Sequence, residues 1–306
     1  MKYRKIGNTD LEVSAIALGS WVFGGEGWGK EVDDNESIRV IGRALDLDIN
    51  IIDTAPIYGD GRAEEVIGKA IRGRRKDAII ATKCGLEKSG RSIKCNLTAG
   101  FIRKEIENSL RRLNIETVDL YQCHWPDKDT PLEETFSELN KIKKEGKIRY
   151  IGVSNFDKKL LEEANSITQV VSNQVQYSLF DRDIEKDLIS FCGSKGISIL
   201  SYGSLGGGIL TGKYKEPPVF EKGDVRSFFY KYYKEPFWSR GKAMRTTLEK
   251  IASKRNVPTA QAAINWVLAK GEVASCIMGC RTEDQLMVNI DAASWELSKE
   301  EISDLV

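Results

Sequence analysis

The sequence predicts a (β/α)8 TIM barrel, an α/β fold built by residues 1–306 as a single domain. Eight short apolar runs recur along the chain, most of them apolar at nearly every position, as in parallel strands covered on both faces. Amphipathic segments of helical period separate the runs, and no linker divides the chain. A doubly wound sheet is the alternative architecture, and eight strands speak for the barrel.

The runs are AIALGSW (15–21), NIIDTA (50–55), AIIATK (78–83) and VDLYQCHW (118–125), then IRYIGVSN (148–155), VVSNQVQY (170–177), ISILSYG (197–203) and ASCIMGC (274–280). Ahead of them, residues 2–13 with a turn at Asn8 read as a small β-hairpin. In 98–114, Ile102, Ile106, Leu110 and Leu113 form one apolar stripe, as do Leu132, Phe136, Leu139 and Ile142 in 131–146. Thr98 and Thr130 are candidate N-caps, the second followed by Pro131 at the first helical position, and Gly146 closes the second helix. One interval breaks the rhythm: Lys213 to Arg240, after the seventh strand, holds three of the seven prolines and a dense aromatic cluster. A loop this long in a compact domain is usually functional, and its place is over the barrel mouth.

Lys+Arg 46 against Asp+Glu 45 leaves a net charge of +1, which speaks against nucleic acid or an anionic membrane as the main partner. No apolar run reaches the roughly 18 residues of a membrane-spanning helix, and MKYRKIGNTDLEV lacks the apolar core of a signal peptide; a cytoplasmic location is expected. The six cysteines form no CxxC pair and read as reduced, mostly buried thiols. His124 is the one histidine, so a histidine-rich metal centre is excluded and no metal is expected.

Polar residues sit where the strands end. The second strand ends near Asp53, the third at Lys83, the fourth at His124 and the fifth at Ser154 and Asn155; Gln174 lies in the sixth and Tyr202 ends the seventh. In this barrel all C-terminal strand ends converge on one face, where its chemistry is found. Taken singly, each has a bland reading: a core histidine, a surface lysine, an aspartate cap. Together they form a constellation, because residues at the same level on adjacent strands face one another, and a buried lysine and aspartate can pair. Tyr58, between Pro56 and Gly59 in the loop after Asp53, supplies a phenol. A phenol's ordinary pKa of about 10 is high for a proton donor, and a neighbouring ammonium from Lys83, held by Asp53, is expected to lower it. His124 would orient a bound carbonyl oxygen. Asp53, Tyr58, Lys83 and His124 can thus protonate a carbonyl oxygen while a hydride arrives at carbon.

With these residues in view, the chain resembles the aldo-keto reductase family over nearly its whole length. "IIDTAPIYG", "ATK" and "YQCHWPD" are similar to the segments carrying the family's tetrad, which falls on Asp53, Tyr58, Lys83 and His124. The resemblance implies that Ser154 and Asn155 of "IGVSNF", with Gln174 of "NQVQYSLF", hold a nicotinamide carboxamide. It implies that Tyr202 of "SYGSLGGGILTGKY" stacks on the nicotinamide, while Ser204, Leu205 and Gly206 to Gly208 approach the pyrophosphate and Lys213 belongs to the same site. In "IMGCRTEDQLMVNI" it implies that Gly279, Arg281, Gln285 and Asn289 serve the adenosine end. A guanidinium at 281 suits a 2′-phosphate, so NADPH (NADP+) is the expected cofactor. Val288 and Ser204 depart from the family pattern, where an acid and a proline are frequent. The glycine run also reads on its own as a close approach of backbone to phosphate, and there is no GxGxxG fingerprint of a Rossmann domain.

The implied activity is NADPH-dependent reduction of aldehydes or ketones, the partner being a small-molecule carbonyl. "SWVFGGEGWG" (20–29) and the aromatic loop would shape the pocket, with Trp21, Phe23, Trp125 and some of Phe228, Phe229, Tyr232 and Trp238 as walls. Two alternatives remain open. One is a cofactor-binding regulatory subunit resembling the β-subunits of voltage-gated potassium channels. The other is an isomerase or aldolase using Lys83 as base or Schiff-base former.

Overall fold

The computed structural model describes residues 1–25, 27, 33–90 and 92–305. Its centre is a closed barrel of eight parallel strands: β3 (Ile16–Gly19), β4 (Ile51–Asp53), β5 (Ile79–Cys84), β8 (Val118–Cys123), β9 (Ile148–Ser154), β10 (Ser172–Gln176), β11 (Ser198–Tyr202) and β12 (Val273–Gly279), the last pairing back onto β3. Each lies within, or one residue from, one of the apolar runs. Between them run α1 (Asp34–Asp46), α2 (Arg62–Ala70), α3 (Ala99–Leu113), α4 (Leu132–Lys144), α5 (Lys158–Ile167), α6 (Leu188–Lys195), α8 (Phe237–Arg255) and α9 (Thr259–Leu268), with α10 (Glu283–Asp291) and α11 (Lys299–Asp304) after the last strand. Among the described residues, no helix is long and apolar enough to cross a membrane.

Two apolar layers follow from this closure. The larger fills the space between strands and helices and takes in Ile102, Ile106 and Leu113 of α3 and Phe136, Leu139 and Ile142 of α4. The smaller fills the barrel: Ala17, Ile51, Ala81, Leu120 and Leu200 meet Ile6, Leu11 and Val13 of the N-terminal hairpin. That hairpin, β1 (Tyr3–Lys5) and β2 (Glu12–Ser14), plugs the end where the strands begin. The opposite end is left for polar side chains. A second hairpin, β6 (Leu86–Ser89) with β7 (Ser92–Cys95), rises from that end after β5.

Local details correct three expectations. Thr98 stands at the N-cap position of α3 but does not cap it; its hydroxyl donates to Asn96 Oδ1 at 2.7 Å, and Glu134 of α4 accepts the Ala99 N–H at 2.9 Å instead. Thr130 likewise turns away, donating to Asp127 Oδ2 at 2.7 Å, so that Pro131 takes the cap position and α4 starts at Leu132. The aromatic interval is less of a loop than its sequence suggests: it contains the short helix α7 (Arg226–Phe229), a 3-10 turn, Lys231–Tyr233, and the start of α8 at Phe237.

Candidate active site

The C-terminal strand ends bring together the four side chains expected to do chemistry. Lys83 points into the barrel, wholly buried, and its Nζ has three acceptors: Asp53 Oδ2 at 2.7 Å, the Thr54 carbonyl at 2.9 Å and Tyr58 Oη at 3.4 Å. The turn after β4 delivers the phenol, with the Tyr58 N–H donating to the Ala55 carbonyl at 3.1 Å. The imidazole of His124, one residue beyond β8, meets the Tyr58 ring edge-on with centroids 5.9 Å apart. Asp53 also spans the barrel: its Oδ1 accepts from Gln174 Nε2 at 2.7 Å.

Electrostatics corrects the expected tuning of the phenol. Burial, then the Asp53 carboxylate, pushes Tyr58 well above its usual value. The physical reason is pairing: Lys83 and Asp53 form a nearly neutral unit, so the ammonium's pull on the phenol is cancelled by the carboxylate and desolvation decides. Burial also lowers the Lys83 ammonium, opposed by Asp53. Burial and the nearby Lys83 charge hold His124 well below 6.5, so the imidazole is neutral near pH 7. The site therefore holds a protonated phenol beside an ammonium, with a neutral imidazole flanking both.

The residues assigned to a cofactor lie near or after the ends of the next four strands, β9 to β12. Ser154 Oγ and the Asn155 N–H both donate to the Gln174 carbonyl, each at 2.9 Å. Asn155 sits at φ +62°, a conformation costly for a non-glycine residue, and it is held there by bonds from Nδ2 to the His124 carbonyl and to Ser154 Oγ, both 3.0 Å. Tyr202 Oη donates to Asn155 Oδ1 at 2.8 Å. Gly206, Gly207 and Gly208 all have positive φ, and a Cβ on Gly207 would lie 2.6 Å from Tyr230 Cδ2, so this turn tolerates glycine only. Ser204, buried, bonds Ser201 Oγ at 2.7 Å and Cys276 Sγ at 3.0 Å, local partners for a serine where the family often has proline. Leu205 and exposed Lys213 flank the turn, the Lys213 Nζ 4.7 Å above the Tyr214 ring. Past exposed Gly279, the Arg281 N–H donates to Gln285 Oε1 at 2.9 Å. Burial and the neighbouring Arg226 lower the Arg281 guanidinium, against Asp224 and Glu36. Asn289 is buried and donates to Cys280 Sγ at 3.2 Å, so it holds the segment from inside.

Residues 15–306 match the family model described as the Aldo/keto reductase family. The chain belongs to that family. It is 37% identical to Aldo-keto reductase YhdN of Bacillus subtilis, over 100% of this chain and 92% of that protein. It is 32% identical to the NADH-specific methylglyoxal reductase of Escherichia coli, over 97% and 95%. Among solved structures, the glycerol dehydrogenase AKR11B4 from Gluconobacter oxydans superposes with a TM-score of 0.90 at 37% identity, covering 99% of this chain and 93% of that one.

In this aldo/keto reductase the aromatic wall is narrower than expected. Trp21 stacks on Tyr58 with centroids 5.7 Å apart and planes 13° apart, Phe229 meets Trp21 edge-on at 5.5 Å, and Trp125 is 39% exposed. Phe23 is fully buried, because the 3-10 turn Trp21–Gly24 sends it into the core while Trp21 stays at the mouth. Tyr232 and Trp238 are also buried packing residues, and Phe228 stands 74% exposed. Within the segment 20–29, Glu26, Trp28 and Gly29 lie outside the described residues. The aromatic segment crosses the mouth: the Val225 N–H donates to the Gly27 carbonyl at 2.7 Å.

Sequence reasoning missed three contributors. Tyr230, buried beside Phe229 with centroids 5.0 Å apart, has Tyr202 and Tyr58 among the groups acting on its phenol. Tyr233 Oη donates to the Gly207 carbonyl at 2.6 Å and fixes the glycine turn. The Thr54 carbonyl completes the Lys83 environment. The tyrosine-rich string YKYY was visible, but nothing in it says which ring faces the glycines.

Proposed function

We propose that this chain reduces aldehydes or ketones to alcohols with NADPH, Tyr58 being the proton donor. What supports the reading most is one arrangement: Lys83 Nζ bonded at once to Asp53, the Thr54 carbonyl and the Tyr58 phenol, with a neutral imidazole alongside. When bound, the nicotinamide cofactor supplies hydride to the carbonyl carbon. A neutral His124 keeps one N–H to donate to the substrate oxygen and orient it. As negative charge grows on that oxygen, Tyr58 Oη passes its proton across, and the phenolate forms next to the Lys83 ammonium. Raising the phenol keeps the donor protonated over the neutral range. Asp53 and Gln174 hold Lys83 so that this stabilisation is ready before charge moves.

The residues present fit the cofactor. The glycine turn exposes backbone where a side chain would clash, a platform for pyrophosphate, and Ser154, Asn155 and Gln174 offer amide and hydroxyl groups for a carboxamide. Arg226, itself ion-paired with Asp224, lowers the nearby Arg281 guanidinium, and a 2′-phosphate there would favour the charged form of Arg281. This favours NADPH for the chain, although the E. coli relative is named NADH-specific.

The alternatives fare worse. Lys83 has no exposed surface and its amine is bonded to three acceptors, which speaks against its reaching a substrate carbon as a Schiff base. A purely regulatory role is not favoured, since the relatives compared carry reductase and dehydrogenase names. Trp21 and Phe229, edge-on at 5.5 Å, and the exposed Trp125 next to His124 offer aromatic surface suited to aldehydes with an apolar or stacking face. The test is steady-state NADPH oxidation across aldehydes, ketones and sugars, starting from 4-nitrobenzaldehyde. Tight NADPH binding without turnover on the whole panel would refute the proposal.

A further inference from the structure

Lys83 faces the barrel interior, so its neighbour Thr82 faces the helices, and there the strand meets buried acids. Glu64 of α2, six residues after Tyr58, is fully buried. Its Oε1 accepts from Thr82 Oγ1 at 2.7 Å, and its Oε2 accepts from Arg112 Nε at 2.7 Å and pairs with Nη2 at 2.6 Å. Glu105 of α3, 8% exposed, accepts the Gly85 N–H through Oε2 at 2.6 Å. Burial pushes the Glu105 carboxyl up to about 8, so it is neutral near pH 7, whereas Glu64 is paired with Arg112. The residue before Lys83 and the residue two after it are thus each held by an acidic side chain from a different helix, one charged and one neutral.

Apolar packing would hold these helices to the sheet without burying an ion pair at Glu64 or a polar carboxyl at Glu105, so the acids need another reason. The end points of the contacts supply one. Helix α2 begins at the end of the turn that carries the phenol, and Glu64 ties that helix to the strand that carries the ammonium. The gap between the two groups, 3.4 Å, is already long for a hydrogen bond, and a small slip of α2 against β5 would open it.

We propose that Glu64 and Glu105 are positioning residues for carbonyl reduction, clamping β5 from outside so that Lys83 stays in reach of Tyr58. The proposal rests on the reading of Tyr58 and Lys83 as the proton-donor pair. Glu64 also acts through charge: with Asp53 it supports the ammonium of Lys83 against burial, and the remaining groups facing that ammonium are Tyr58 and His124.

The test is kcat, KM, NADPH Kd and the pH profile of kcat for Thr82→Val and Glu64→Gln, with Glu105→Leu compared against Glu105→Gln. Thr82→Val and Glu64→Gln are expected to lower kcat on the order of 10- to 100-fold with NADPH Kd close to wild type. Glu64→Gln should also move the alkaline limb of kcat to lower pH, because a charge that keeps the proton on Lys83 is gone. Glu105→Gln, which retains an acceptor for Gly85, should recover most of what Glu105→Leu loses. Wild-type kcat in folded Thr82→Val and Glu64→Gln would overturn the clamp, as would losses of kcat matched by equal losses in cofactor binding with no movement of the limb. If circular dichroism shows Glu64→Gln unfolded, Thr82→Val decides by its kcat and Kd. Tyr58→Phe run in parallel separates the two readings: full activity there ends the site assignment, whereas an inactive Tyr58→Phe beside a wild-type Thr82→Val ends only the clamp.

Discussion

Gln174 reaches across the barrel to Asp53, its Nε2 donating to Oδ1 at 2.7 Å while Oδ2 of the same carboxylate holds Lys83 at 2.7 Å. One buried carboxylate on β4 thus joins strand β10 to strand β5 across the barrel. Gln174→Leu removes the donor and leaves a buried carboxylate oxygen without a partner. It should destabilise the protein by about 1–3 kcal/mol and lower kcat as Lys83 loosens, read by thermal melting and steady-state kinetics. An unchanged melting temperature would contradict the coupling.

His124 gives a pH signature. The unfolded imidazole takes up a proton below 6.5, whereas the folded one, buried near Lys83, resists it. Its contribution to stability is therefore complete above 6.5 and is lost as the pH falls through the depressed folded value. Melting temperatures measured from about pH 7 to 5 should fall more steeply for the wild type than for His124→Asn. Parallel curves would mean that the imidazole is not held neutral.

Arg281 tests the cofactor preference. Truncation to alanine should raise Kd for NADPH roughly 10- to 100-fold, the worth of a charge-assisted contact to phosphate, while changing Kd for NADH little. Fluorescence titration with both cofactors reads this directly. Equal changes would remove the 2′-phosphate assignment.

The barrel, and the meeting of Asp53, Tyr58, Lys83 and His124 at one end of it, were legible because both depend on periodicity and strand ends. Asp53, Lys83 and His124 each lie within one residue of the C-terminal end of a strand, and closure of the sheet brings such residues together. Quantities set by distance were hidden. That the phenol is raised rather than lowered follows from its burial and from how closely Asp53 neutralises Lys83, which no spacing reveals. Phe23 and Trp21 are two apart in one aromatic segment, yet a single 3-10 turn sends one to the core and leaves the other against Tyr58. Thr98 and Thr130 failed as caps because Asn96 and Asp127 compete for their hydroxyls. Glu64 and Glu105 look in sequence like ordinary charges on helix faces, and only packing buries them.

The central claim is proton delivery by Tyr58, and kcat of Tyr58→Phe with an aldehyde and NADPH, set beside the NADPH Kd of the same variant, tests it most directly. The account predicts a loss in kcat of roughly 10²- to 10⁴-fold with Kd nearly unchanged, since the ring and its stacking on Trp21 survive and only the proton is lost. Turnover at the wild-type rate would contradict it.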